Sequence, residues 1–191
     1  MVSSKKSSSK AVGAHIALLR GINVGGKNML PMKDLAEMFV AAGCSDVCTY
    51  IQSGNVAFTA DAELARRIPE SITEAIARRF HLSVPVVTRS AKELRRISEQ
   101  NPYWSAGVDM AILHVVFLAD RPSASKVAAL DPKRSPPDEF SVHGRELYLR
   151  CPNGVAHTKL TNAYFDSTLA TVSTVRNWNT VTKLLDLCGD A

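Results

Sequence analysis

Aromatic residues are scarce in this chain, at 6%. RNA-binding α/β plaits stack bases on aromatics carried by their central strands. Here the corresponding segments, 55–59 and 146–150, hold one aromatic each, Phe58 and Tyr148. The scarcity argues against an RNA-recognition module. Charge of one sign is scarce as well. The formal net charge is +5, but Lys5, Lys6 and Lys10 lie in a Ser/Lys-rich start, and without them 20 basic side chains face 18 acidic ones, or +2. A body so nearly neutral lacks the basic footprint by which proteins hold nucleic acid.

The four cysteines, Cys44, Cys48, Cys151 and Cys188, form no CxxC pair. His15, His81, His114, His143 and His157 stand at no metal-ligand spacing. Neither a disulfide framework nor a zinc site is written in the chain, and no metal or cofactor is expected. No apolar run is long enough to span a bilayer, and residues 1–10 lack the apolar core of a signal peptide. These absences point to a reduced, cytoplasmic chain away from membranes, with residues 1–13 as a disordered tail. Its oligomeric state stays open.

What is present suffices for a sizeable core: 46% of 191 residues are hydrophobic. The order of elements repeats. His15–Arg20 reads as a strand, followed by a Gly-rich loop and a helix from Pro31 to Ala42. Strands 47–52 and 55–59 flank Ser53-Gly54. Leu64, Ile68, Ile72, Ile76 and Phe80 recur every four residues, the stripe of an amphipathic helix. Pro69 inside that stripe predicts a kink or a start there. A strand at 84–88 and a short charged helix at 91–100 complete the half. The second half runs strand 110–118, helix 123–130, strands 140–142 and 146–150, helix 159–169, strand 172–175 and helix 178–187. Each half is strand–helix–strand–strand–helix–strand with a trailing helix. That is the βαββαβ order of the ferredoxin-like, or alpha-beta plait, fold. The expected fold class is α+β, a tandem duplication of two ferredoxin-like domains at 14–101 and 108–191. Thr88-Arg89-Ser90 and Val175-Arg176-Asn177 are the best local echo between them.

The loop Arg20-Gly-Ile-Asn-Val-Gly-Gly-Lys-Asn28 admits three readings. Gly21, Gly26 and Lys27 match the spacing of a phosphate-binding P-loop, in which glycines open the backbone to an anion and a lysine neutralises it. Asn28 replaces the magnesium-binding Ser/Thr, and the helix begins too late. A P-loop-like phosphotransferase or hydrolase is therefore the alternative. The preferred reading is an anion site without nucleotide hydrolysis, and the plainest is a flexible connection.

Four segments resemble the signatures of a bacterial family of unknown function, DUF1697. They are Ala17–Asn28 (ALLRGINVGGKN), Thr49–Val56 (TYIQSGNV), Lys159–Phe165 (KLTNAYF) and Arg176–Val181 (RNWNTV). Tyr164 stands where Phe is common, and Ala170-Thr171-Val172 replaces a more usual Gly-Val-Pro. The resemblance implies two ferredoxin-like domains and no reaction.

Paired carboxylates and Cys/His constellations are missing from these segments, so whether the chain is an enzyme is left open. The candidate ligand-binding set is Arg20, Gly21, Asn23, Gly25, Gly26, Lys27, Gln52, Ser53, Asn55, Arg176, Asn177 and Asn179. Cationic groups and amides of this kind grip a small phosphate- or carboxylate-bearing ligand by charge-assisted bonds. Asn177 would equally serve as a helix N-cap, Trp178 belongs on a core face, and Arg89 reads as part of a solvated mixed-charge face. An interaction scaffold for protein or RNA is the remaining alternative.

Overall fold

The computed structural model describes residues 11–189. Residues 1–10 of the expected tail lie outside them, and the first strand already begins at Val12, inside the stretch assigned to that tail.

The chain forms eight strands and six α-helices among the described residues: β1 Val12–Leu19, α1 Met32–Ala41, β2 Ser45–Tyr50, β3 Asn55–Asp61, α2 Ala62–Phe80, β4 Val86–Ser90, α3 Ala91–Glu99, β5 Leu113–Leu118, α4 Ala124–Ala128, β6 Glu139–His143, β7 Glu146–Arg150, α5 Asn162–Leu169, β8 Ser173–Asn177 and α6 Trp178–Leu187. The strands make two four-stranded antiparallel sheets, ordered β2-β3-β1-β4 and β6-β7-β5-β8. The fold is mixed α+β.

Strand periodicity builds three apolar layers. Successive side chains of a strand point to opposite faces. In β1, Ala17 and Leu19 join α1 and α2 in one cluster, whereas Ile16 and Leu18 face a second. In β5, Leu113, Val115 and Phe117 face that same second cluster, and Val116 and Leu118 face a third with α5. The middle cluster therefore draws on both halves of the chain. It also holds α3 and α6, through Leu94 and Ile97 on one and Trp178, Val181 and Leu184 on the other.

Helix α2 runs unbroken from Ala62 through Pro69 to Phe80. Asp61 caps it by accepting from the Glu63 and Leu64 amides. An internal proline costs a helix about 3 kcal/mol. Ile68, Ile72 and Ile76 are wholly buried, and each contributes about 1.5–3 kcal/mol, which outweighs the proline. Helices α4 and α5 begin later than their sequence patterns because Ser123 and Thr161 cap them.

Strands β1 and β2 both pair antiparallel to β3, so they run parallel to each other. Arg20 and Gln52, which follow them, thus share one rim.

Candidate functional site

Arg20–Asn28 does not form a P-loop. Gly25 and Gly26 both have positive φ, and the Lys27 amide donates to the Val24 carbonyl at 3.0 Å, closing a two-residue hairpin turn. The Asn23 amide donates to Asn28 O at 3.2 Å. Amides spent within the hairpin cannot wrap a phosphate. Lys27 is exposed at the tip, and α1 starts only at Met32.

Asn23 anchors this hairpin. Its Nδ2 donates to Leu30 O and Gln52 O, both at 2.9 Å, and its Oδ1 accepts from the Leu30 amide. Asn28 Nδ2 donates to Gly21 O at 2.8 Å. The hairpin is tied to the β2–β3 turn, and these amides are spent on the protein itself.

Arg176 is the centre of the region. It lies in β8, yet its guanidinium crosses to the first sheet. Nε donates to Asn55 Oδ1 at 2.5 Å. Nη1 donates to Thr174 Oγ1 and Val175 O, and Nη2 to the carbonyls of Leu19, Ser53 and Gly54. Among the described residues no carboxylate pairs with it. Burial pulls its pKa down from the ordinary arginine range to about 10.

Arg89 repeats the arrangement in the other direction. It is also buried, which corrects the expectation of a solvated face: β4 places it opposite Ile16, and the alternation turns it inward. Its Nη1 donates to Thr88 O and its Nη2 to the carbonyls of Leu118 and Arg145. Its Nε donates to Glu146 Oε1 at 2.8 Å. Leu19 and Leu118 each end the first strand of their sheet, and Asn55 and Glu146 each begin the third. One crossing arginine therefore meets a carboxylate and the other only an amide. Burial lowers the Arg89 pKa, and Glu146 opposes that lowering.

A cleft of about 600 Å³ opens beside Arg176. Arg20, Gly21 and Val24 line it from the loop after β1, and Ser53 from the β2–β3 turn. Asn177 and Thr180 line it from the start of α6, and Thr161 and Asn162 from the start of α5. Two helix N-termini, with their partial positive charge, thus meet two arginines at one opening. Arg20 forms an ion pair with Asp166, and the same Nη1 donates to Ser173 O at 3.3 Å. Asp166 in turn accepts from the Ser173 amide and hydroxyl.

Of the sequence-expected residues, the cleft brings together Arg20, Gly21, Ser53, Arg176 and Asn177. Gly25, Gly26, Lys27, Gln52 and Asn179 do not line it, and Asn23 and Asn55 act as internal struts. Asn177 caps α6 by accepting from the Asn179 amide. Thr161, Asn162, Thr174 and Thr180 were missing from the expected set, although all but Thr174 lie in the third and fourth signature segments. All four signature segments contribute to this one cleft.

Among the described residues no group of three His, Cys, Asp or Glu side chains stands ready for a metal ion, and no helix is long and apolar enough to cross a membrane. The Cys44, Cys151 and Cys188 thiols are buried, and Cys48 is exposed.

The family model described as "Protein of unknown function (DUF1697)" matches residues 12–148. The chain is similar in fold to a solved structure of a conserved bacterial protein from Streptococcus pneumoniae, with a TM-score of 0.71 and 23% identity, over 93% of this chain and 99% of that one. No curated protein matches it in sequence.

Proposed function

From the premise that the chain belongs to the DUF1697 family, we propose that it is a binding protein for a small anionic molecule held in the cleft beside Arg176. The observation that carries this reading is the buried Arg176 guanidinium without a carboxylate, set against Arg89, which has Glu146. A buried charge left unpaired is costly, and proteins normally pair it. Asn55 stands where a carboxylate would neutralise Arg176, so its charge remains to be met from the cleft.

The five N–H groups of Arg176 are all engaged by protein acceptors. Arg176 therefore contributes field rather than direct bonds: at 4 Å and an effective dielectric of about 20, a unit charge pair is worth about 4 kcal/mol. Direct bonds come from Arg20, whose Nε and Nη2 make no bond among the described residues, and from the hydroxyls of Thr161 and Thr180. Arg20 is offset by Asp166, so the cleft has one positive charge in excess. It suits a carboxylate or a singly charged phosphate ester. Nothing in the hairpin supports magnesium-nucleotide chemistry, since Lys27 does not line the cleft.

The same reading takes the two identically ordered sheets as ferredoxin-like plaits at 14–101 and 108–191, duplicated in tandem, in a cytoplasmic protein. The matching arginine crossings support the duplication. They also tie the two sheets together by buried hydrogen bonds.

The test is a thermal-shift series with acetate, pyruvate and inorganic phosphate on the wild type, Arg20→Gln and Asn55→Asp. A ligand bound only to the folded state raises the midpoint by mass action. Asn55→Asp supplies the carboxylate that Arg176 lacks and should cancel the carboxylate shift in a folded protein. A shift that persists undiminished in both variants refutes the assignment.

A further inference from the structure

A second cleft, of about 630 Å³, opens where the β6–β7 turn meets α3. Its walls are His143, Gly144, Arg145 and Glu146 of the turn and the start of β7, Arg121 after β5, and Arg96 and Gln100 at the end of α3. Three guanidiniums line it, and two nearby carboxylates, Glu146 and Glu93, are already paired with arginines. Glu146 is held by Arg89 at 2.8 Å. Glu93 accepts from Arg145 at 2.6 Å and from the Ser90 amide at 2.8 Å. Asp120, next to Arg121, accepts from the Thr171 hydroxyl.

Arg145 is thus neutralised and fixed as a wall, with Nη1 also reaching Ala119 O. Arg96 and Arg121 make no ion pair among the described residues. The exposed Arg78, Arg79 and Arg150 each face a carboxylate. Arg66, Arg67 and Arg134 also make no ion pair among the described residues, but Arg96 and Arg121 line one cleft together. Like charges converge at a cost unless an anion joins them.

We propose that this cleft binds a small molecule carrying a phosphate dianion, with Arg96 and Arg121 as its bidentate donors. The donors select the class: two guanidiniums free of ion pairs face a group carrying about −1.5 to −2 at neutral pH, and the guanidinium fork fits phosphate oxygens. The volume falls in the range of about 300–1,000 Å³ usual for small-molecule sites. Gln100 adds an amide for a neighbouring hydroxyl. This site shares no lining residue with the Arg176 cleft and does not rest on that assignment.

The experiment is isothermal titration of the full chain with glycerol 3-phosphate. The chains compared are the wild type, Arg96→Gln/Arg121→Gln, and a control, Arg66→Gln/Arg67→Gln, that removes two exposed arginines from α2. The first variant is expected to lose affinity by about tenfold or more, as the loss of charge-assisted bonds requires, while the control keeps it. No binding by the wild type, wild-type affinity in Arg96→Gln/Arg121→Gln, or an equal loss in the control would each overturn the proposal. Failure of the Arg176 cleft shows separately, as a carboxylate shift that ignores Arg20→Gln.

Discussion

Arg176 Nε donates to Asn55 Oδ1 at 2.5 Å, across 121 positions of sequence. The related bond in the other half, Arg89 to Glu146, joins a cation to an anion at 2.8 Å. The two crossings lock the sheets together at the ends of β1 and β5. They differ in one respect, that one is electrically closed and the other is not.

Opening the closed crossing measures its strength. Glu146→Ala leaves Arg89 buried without a counter-charge, and breaking such a pair costs about 3–5 kcal/mol. Glu146→Gln should cost less, because Asn55 shows that an amide can hold a crossing arginine. Urea denaturation of the two variants against the wild type gives both numbers, and equal stabilities would contradict the account.

Gly54 is required by a close approach. A Cβ there would lie 2.6 Å from Leu19 Cβ, and its φ is +73. Gly54→Ala should destabilise by about 2–5 kcal/mol, combining left-handed strain with overpacking. It should also disturb the Arg176 cleft, because Gly54 O accepts from Arg176. Thermal denaturation and the carboxylate shift read the two effects separately.

Lys27→Ala should leave anion binding unchanged. The P-loop spacing suggests otherwise, but Lys27 sits in the hairpin turn and does not line the cleft. A loss of the ligand-induced shift in this variant would return the hairpin to the site.

Thiol reactivity should single out Cys48. Burial pushes the Cys44, Cys151 and Cys188 thiols to about 11, which leaves almost no thiolate at neutral pH. A thiol-reactive chromophore at pH 7.5 should modify one cysteine of the native chain and four in denaturant.

Acid should weaken the α3 cap before it reaches the core. Burial opposes ionisation of Glu93, but the Ser90 amide and hydroxyl bonds and the Arg145 charge outweigh it and hold its pKa below the usual carboxylate value. A depressed carboxyl contributes stability above its unfolded pKa and loses it as pH falls through the folded one. Stability of the wild type should therefore decline below about pH 4.5 more steeply than that of Glu93→Gln, as seen in denaturation midpoints between pH 3 and pH 6.

The sequence by itself determined the element order, the amphipathic stripe of α2, the core placement of Trp178 and the cap role of Asn177, because each follows from spacing along a few neighbouring residues. The Gly-rich turn after β1 was visible in the same way, and the other segments that meet at the cleft were marked by their resemblance to the family's signatures. Only the tertiary structure decided which of their polar groups face that cleft. Asn23 and Asn55 have the same chemistry as a ligand-binding amide, but hydrogen bonds to residues up to 121 positions away make them struts. Arg89 looked solvated among charged neighbours until strand pairing turned it inward. Whether a buried arginine is neutralised depends on which residue of the opposite sheet meets it, and that is a matter of packing between halves, which no local pattern encodes.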